Sequence, residues 1–587
     1  MSKKIISLYR NKLAREEGTV IKDWGGKLTV GLVYPSTYHI GMSNLGFQIV
    51  YGLFNKNPAV VAERFFIPDG MEMSIYLQSG KPLLSLETQR PLDDFDLVAF
   101  SLSFENDFPN ILQILDLGKI PLTSEERGNR YPLIMAGGIT TFMNPEPLSS
   151  FMDLFLLGEA ETCMEEFLAS MLTFRTVHLS KKETLLHLAR NIPGVYVPSF
   201  YRVVYGKDGT IESFTPDIHG IPEKVRVTSS AEAGFSGGGK PVSSIITPET
   251  EFGDKVLIEL GRGCGHSCRF CAAGYVYRPP RVYDDSKLRT CIQESIDKGK
   301  QLGLLSAAVS DVPGINDLMT MIVNAGCRFS VSSLRAESLT RELLVNLRET
   351  GQHTVTIAPE AGTERLRKTI NKHLTENQIT DSVRLISGTD DFSLRLYFLV
   401  GLPTETQEDV EGIVHLVKGI KHHMVKESAL RGTIGQIRMS INCFVPKPFT
   451  PFQWFPMDPL KTLKGKQKWL KKAFAKIGGV KVSSDVPKWA YVQTLLSMGD
   501  RRVGAILLQT HRFDGNWSKA FRSSEVNPDF FVYRPRDLAE ILPWDFVDHG
   551  ISKQHLKKEY ALALEAKESD ECNVGECFRC GVCGSIS

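Results

Sequence analysis

Residues 256–281, VLIELGRGCGHSCRFCAAGYVYRPPR, constrain this chain more than any other stretch. An apolar, β-branched run empties into a loop carrying Cys264, Cys268 and Cys271. Thiols spaced this tightly cannot form a disulfide framework in one small loop without strain, but they can face one soft metal centre together. The count is odd. Three cysteines leave a cubane iron–sulfur cluster with one iron that has no protein ligand, whereas a structural zinc site closes with four. An iron left open can bind a substrate or cofactor. A zinc loop and three reduced, buried thiols are the alternatives. Gly261 and Gly263 offer the tight backbone path a loop needs to wrap a cluster.

The Cys-x3-Cys-x2-Cys spacing, with Phe270 directly before the third cysteine, resembles the cluster loop of the radical S-adenosylmethionine (SAM) enzymes. The resemblance implies a 4Fe–4S cluster on Cys264, Cys268 and Cys271, SAM bound at its open iron, and an external electron donor of the flavodoxin or ferredoxin type. It also implies that VLIEL is the first strand of a partial (β/α) TIM-type barrel.

Net charge is +2, from 69 basic against 67 acidic residues, which excludes a global attraction to nucleic acid or an anionic membrane. The early apolar run IISLY is broken by RNK, and no run reaches membrane-spanning length. The expectation is a soluble, cytoplasmic protein with no membrane partner. Of the 11 cysteines, Cys163, Cys291, Cys327 and Cys443 are scattered singly and read as small buried apolar residues. The rest fall in two clusters, which in a chain without an export signal points to metal ligation rather than disulfides.

After a first helix over residues 1–26, residues 27–172 alternate short apolar strands with helical stretches, the pattern of an open parallel sheet. LTVGLVYP, DLVAFSLSF, YPLIMAGG and DLFLLG read as strands, and ligands of such sheets lie beyond the carboxyl ends, where their loops gather. The AGG…NPEPL…GEAE series resembles the Rossmann-like (flavodoxin-like) cobalamin-binding domain that precedes the barrel in one branch of radical SAM enzymes. That resemblance implies cobalamin contacts from Tyr38, Gly41, Ser43, Gly137, Gly138 and Glu159. The Asp-x-His-x-x-Gly box that supplies a lower axial histidine is absent, since Thr37, His39 and Met42 hold the nearest equivalent spacing. A Rossmann-like domain that only packs on the barrel is the alternative. Residues 173–247 read as a junction; GFSGGGKPVSS has Pro241 where a phosphate loop needs a hydroxyl, and so reads as a linker.

The barrel is expected over residues 248–454, with polar groups at its strand ends, where barrel active sites lie. Ser310 and Asp311, Ser332, Ser333 and Arg335, Glu360 and Gly362, then Gly401 and Pro403 occupy successive ends. SAM needs a partner for its ammonium, a cation for its carboxylate and acceptors for its ribose. Ser310, Ser332, Arg335, Glu360 and Gly401 are the candidates, Arg335 for the carboxylate and Glu360 for the ribose. SINCFVPKPFTPFQW reads as the final strand and an aromatic loop.

Residues 455–550 read as a helical region. Its stretch LKTLKGKQKWLKKAFAKIGG reads as an amphipathic helix with outward lysines, either a solvated face or a dock for RNA or nucleotide phosphates. Residues 551–587 end in Cys572, Cys577, Cys580 and Cys583, a closed four-thiolate set for a second iron–sulfur cluster or zinc. APEAGTERLRKTINK, LYFLVGLPTET, FVPKPFTPFQW, GDRRV and LPWDFVDHGISKQHL extend the resemblance over nearly the whole chain, to a family whose substrate it does not supply. The reaction expected is cobalamin-dependent methyl transfer to an unactivated carbon. The alternatives are cobalamin-independent rearrangement or sulfur insertion, with RNA among the possible substrates, and a non-catalytic iron–sulfur RNA-binding or assembly protein.

Overall fold

The structure is a computed structural model that describes residues 2–177, 179–231, 239–331, 334–574 and 576–583. The chain forms two compact units: Met1–Lys255 with Leu495–Phe531 and Ala539–His549, and Val256–Thr494 with Val532–Leu538 and Gly550–Ser587. Half of the stretch read as one helical region, residues 495–531 and 539–549, therefore returns to the first unit. Buried polar pairs hold it there: Asn144 Nδ2 donates to the carbonyls of Ser497 and Gly499 at 3.0 and 2.7 Å, and Arg501 Nε pairs with Glu146 at 2.9 Å. Among the described residues no helix is long and apolar enough to cross a membrane.

The first unit is built on a six-stranded sheet of β1 (Leu28–Tyr34), β2 (Val60–Phe66), β3 (Leu97–Ser101), β4 (Leu133–Gly137), β5 (Leu154–Leu156) and β6 (Val195–Tyr196). Their order is β2-β1-β3-β4-β5-β6; all pairs are parallel except β5 with β6. The chain steps one way from β1 to β2 and the other way to β3, so the topological switch lies between β1 and β3. Ligand crevices of open α/β sheets sit at that switch.

The sequence reading overlooks β2 because charges interrupt its apolar run. Both are matched internally. Glu63 accepts from Ser85, Thr88 and Trp24, and Arg64, fully buried, reaches Glu87 and Glu16 at 2.6 Å each while lying over the Tyr51 ring. Arg64→Met would strand two buried carboxylates, which costs roughly 3–5 kcal/mol. A chemical denaturation curve should show the first unit melting at a clearly lower midpoint, and an unchanged midpoint would refute this account of β2.

The second unit repeats strand and helix. Val256–Glu259, Leu302–Leu305 and Phe329–Val331 form one parallel run, and Thr354–Glu360, Ser393–Val400, Ile437–Cys443 and Val480–Ser484 form another. Leu334 N–H donates to Thr356 O at 3.2 Å, so the runs meet between the third and fourth strands. Helices such as Asp285–Asp297, Ile315–Asn324, Arg341–Glu349, Glu376–Thr389 and Gln407–Ser428 connect them. This is a partial (β/α) barrel.

Ile437–Cys443 is not its last strand. Val480–Ser484 adds in parallel beyond it, a short edge strand whose half-exposed, polar alternation hides it in the sequence. The lysine-rich helix runs over Leu460–Phe474 and buries Leu463, Gln467, Leu470 and Phe474. One lysine departs from the outward reading: Lys466 turns in to pair with Glu405 at 2.6 Å and Asp458 at 2.7 Å.

Candidate functional site

The first barrel strand delivers the chain into the cysteine loop through a short antiparallel pairing of Gly261 and Arg262 with Val282 and Arg281. Gly263 follows with φ +84°, and a Cβ there would lie 2.5 Å from the Tyr277 carbonyl oxygen, so only glycine fits. Ser267 also takes a positive φ, of 54°.

Three sets of contacts fix the loop. Arg269, fully buried, pairs with Glu559 at 3.0 Å and donates to the Lys368 and Thr369 carbonyls, while its own N–H donates to Ile370 O. The Ser267 carbonyl accepts from Tyr275 OH at 3.0 Å and from Asn371 Nδ2 at 3.3 Å. Phe270 packs on a buried apolar group that includes Ala361, Leu402 and Phe444, which anchors the loop beside the ends of the later strands. The loop is thus held by the segment around residues 368–371, which its sequence alone does not announce.

Cys268 is buried and Cys264 and Cys271 are half-buried. Burial pushes the Cys268 thiol up to about 12 and raises the other two, and the three lie close enough to act on one another. Among the described residues no three His, Cys, Asp or Glu side chains form a ready metal cage, so the fit to an iron–sulfur cluster rests on the donor set and its clamped loop. Three cysteines on one sheltered loop fit a 4Fe–4S cluster with one open iron. Its assembly would displace their protons.

Lys372 is a residue the sequence reading did not single out. Its side chain is 14% exposed, 3.7 Å from Glu360 Oε1. Burial opposes its charge, yet Cys268 and Glu360 beside it raise its pKa above the ordinary lysine value. It follows directly on Asn371, one of the residues that hold the cysteine loop.

The candidate SAM residues divide. Ser310, Asp311 and Arg335 gather: Arg335 N–H reaches Ser310 Oγ at 3.4 Å, and Asp311 takes His266 of the cysteine loop. Arg335 pairs with Glu337, and its buried Nε has no hydrogen-bond partner. Glu360, at φ +66°, belongs with Lys372. Gly401 stands differently, since its N–H donates to the Glu405 carboxylate at 3.1 Å and a Cβ would meet Leu463 at 2.7 Å, so its amide is already taken. Ser332 and Ser333 lie outside the described residues.

In the first unit, several candidate cobalamin residues are occupied internally. Tyr38 donates to Glu16 at 2.6 Å and also reaches Thr247; a Cβ on Gly41 would meet the Phe66 ring at 2.5 Å; Glu159 accepts from Ser230. Ser43 Oγ donates to His39 O at 2.6 Å and accepts from Glu251 N–H at 2.9 Å. Gly138, at φ +111°, would set a Cβ 2.3 Å from the Leu102 carbonyl oxygen, so the fold itself demands glycine there. A Cβ at Gly137 meets only Leu156 O, at 3.4 Å. Features at the β1/β3 switch went unread in the sequence: Ile40 and Phe104 are 41% and 44% exposed, and the buried Asn106 Oδ1 has no hydrogen-bond partner.

The sequence matches the family described as "Radical SAM proteins, N-terminal" over residues 46–198 and the "Radical SAM superfamily" over residues 258–417, together more than half of the chain. The chain belongs to the radical SAM superfamily. The second match begins inside the first barrel strand and contains the whole cysteine loop, and with it come the 4Fe–4S cluster, SAM and the need for an external reductant that define these enzymes. This radical SAM chain is 27% identical to an uncharacterized protein of Methanocaldococcus jannaschii, over 81% of its own length and 90% of the relative's. A tRNA-2-methylthio-N(6)-dimethylallyladenosine synthase of Clostridium beijerinckii is 22% identical; the match spans 31% of this chain and less than half, 46%, of that synthase. Among solved structures, the cobalamin-dependent radical enzyme OxsB with aqua-cobalamin and SAM overlays at a TM-score of 0.45, with 13% identity over 92% of this chain and 79% of that one. The radical SAM methyltransferase TsrM from Kitasatospora setae overlays at 0.43, with 13% identity over 70% and 73%.

Proposed function

We propose that this enzyme transfers a methyl group to an unactivated carbon, using cobalamin held by the first unit and a radical generated at the cysteine loop. The observation that carries the reading is the β1/β3 switch. There the segments that follow β1 and β3 in a parallel sheet of order 2-1-3-4-5 carry two exposed apolar side chains, Ile40 and Phe104, and a buried acceptor without a hydrogen-bond partner, Asn106 Oδ1. Apolar surface with a few polar anchors suits a large, flat cofactor. Ile40, Phe104, Asn106 and Gly137 are the residues that would hold it, joined by the sequence candidates Ser43 and Gly138 through their backbone. When bound, cobalamin supplies the methyl group. No protein histidine need ligate it: His39 is half exposed and stands 4.0 Å from Glu251.

On the barrel side, Cys264, Cys268 and Cys271 would hold a 4Fe–4S cluster, which when bound would supply the electron for reductive cleavage of SAM. The chain's own residues bind and orient. Lys372 offers the cation for the SAM carboxylate, with Arg335 as a second cation whose Nε is unpaired. Glu360 and Ser310 would accept from the ribose and the ammonium. Phe270 seats the loop on an apolar group that would limit water beside a bound cofactor.

Anaerobic reconstitution with iron, sulfide and hydroxocobalamin, followed by product analysis, tests the reading. A corrin spectrum on the protein is the expected result. A narrower test falls on Lys372: Lys372→Met should leave iron content unchanged while lowering SAM cleavage by about 10–100-fold, the range for residues that support a metal site. A rise in KM for SAM would mark binding. Unaltered cleavage would remove Lys372 from the site.

The second reading, an RNA substrate, is favoured by the helix Leu460–Phe474. Apart from Lys466, its lysines are solvent-facing, and Trp469 is 37% exposed among them. Salt-dependent tRNA binding lost on charge reversal of Lys461, Lys464, Lys468 and Lys471 would support it.

A further inference from the structure

Within the second unit the four later cysteines fold back onto the first cysteine loop. Cys572 N–H donates to the Gly265 carbonyl at 2.9 Å, and a Cβ on Gly265 would sit 3.3 Å from Cys572 O, so the two backbones touch. Gly265 is bonded directly to Cys264. Asn371 serves both segments, donating to Ser267 O at 3.3 Å and accepting from Ser569 N–H at 2.9 Å. His266 stands between Asp311 and Glu571, the latter at 2.5 Å. At its far side the segment is pinned by Ser552 N–H, which donates to Cys580 O at 2.9 Å.

Two guanidinium groups face the sulfurs. Arg579 Nε donates to Cys577 Sγ at 3.3 Å, and Asp570 fixes the same guanidinium at 2.9 Å. Arg278 bonds to buried Cys580, stands near Cys572, and donates to Ser267 Oγ at 2.6 Å. Cations directed at thiols stabilise thiolates, and four thiolates on one short segment are a complete ligand set for a metal.

We propose that Cys572, Cys577, Cys580 and Cys583 hold a second iron–sulfur cluster, fully ligated by protein, and that this cluster is the port through which electrons enter the first cysteine loop. One electron leaves an external one-electron donor of the flavodoxin or ferredoxin class and reduces the second cluster. It then passes to the first across the Gly265–Cys572 hydrogen bond; the second cluster returns to its oxidised form, and no proton or group moves. The port role rests on the radical reading of the first loop, whereas the metal content of the second does not.

The experiment compares the full-length wild type, a Cys577→Ser/Cys580→Ser variant and a Cys264→Ala/Cys268→Ala/Cys271→Ala variant, each reconstituted anaerobically. Iron and zinc are counted, dithionite-reduced samples are read by electron paramagnetic resonance, and 5′-deoxyadenosine formation is timed with reduced flavodoxin. With four irons per cubane, iron should halve in either variant, from about eight to about four per chain. The reduced wild type should show two spin-coupled signals, and each variant a single uncoupled one. Flavodoxin-driven cleavage should fall at least tenfold in the Cys577→Ser/Cys580→Ser variant. Zinc in place of iron, uncoupled wild-type signals, or an unchanged flavodoxin rate would each overturn the proposal. Should that variant lose its first cluster as well, Arg579→Gln keeps all ligands and must shift only the second signal; an unmoved signal overturns the proposal equally. If even the wild type makes no 5′-deoxyadenosine, the radical reading fails, while the halved iron still reports the second cluster.

Discussion

Replacing Cys264, Cys268 and Cys271 together by alanine should abolish 5′-deoxyadenosine formation and remove about four irons per chain. The effect should be complete because no other cysteine sits on that loop to substitute as ligand. It should also be local. The contacts that hold the loop come from Arg269, Phe270, Tyr275 and Asn371, and all of these remain in the variant. Cys268 is buried and Cys264 and Cys271 are half-buried, and exchanging them for alanine removes only small side chains, so the circular dichroism of the two proteins without iron should match. Iron, sulfide and product measured anaerobically on both proteins decide the matter. Unchanged 5′-deoxyadenosine in the triple variant would end the radical reading of this site.

How much of this was legible in the sequence depends on the length scale of the signal. The cysteine loop is local: three cysteines, Phe270, Gly261 and Gly263 fall within the eleven residues 261–271 that follow one strand, and the structure places that strand first in the barrel. Strand ends were also readable, because apolar runs stop at polar loops. What holds the loop was not. Arg269 finds Glu559 some 290 residues later, and Cys572 meets Gly265 across more than 300, pairings that no periodicity announces. Charged residues concealed structure in a second way. Glu63 and Arg64 mask a fully buried strand because their partners come from other segments, and Lys466 breaks the outward pattern of its helix for the same reason. Gly138 reads as space left for a cofactor when only its type is known, but its φ and its neighbour Leu102 show that the turn itself requires glycine.

That distinction shapes the test of methyl transfer. Gly138→Ala should destabilise the first unit whether or not a cofactor binds, so it cannot report on cobalamin. Gly137 can, because a Cβ added there meets only Leu156 O, at 3.4 Å: Gly137→Leu should preserve folding yet obstruct a macrocycle seated over the ends of β3 and β4. His39→Ala should leave cobalamin affinity nearly intact, since an exposed imidazole outside a complete ligand box has no axial role. The products supply the second half of the argument. Methyl transfer of this kind consumes one SAM to recharge the methyl carrier and another to make the radical, so S-adenosylhomocysteine and 5′-deoxyadenosine should both accumulate with a true substrate. Gly137→Leu should lose S-adenosylhomocysteine while still cleaving SAM, because Cys264, Cys268 and Cys271 belong to the other unit. Wild type reconstituted with hydroxocobalamin that shows no corrin spectrum, and yields only 5′-deoxyadenosine from that substrate, would rule out methyl transfer and leave a cobalamin-free radical reaction in its place.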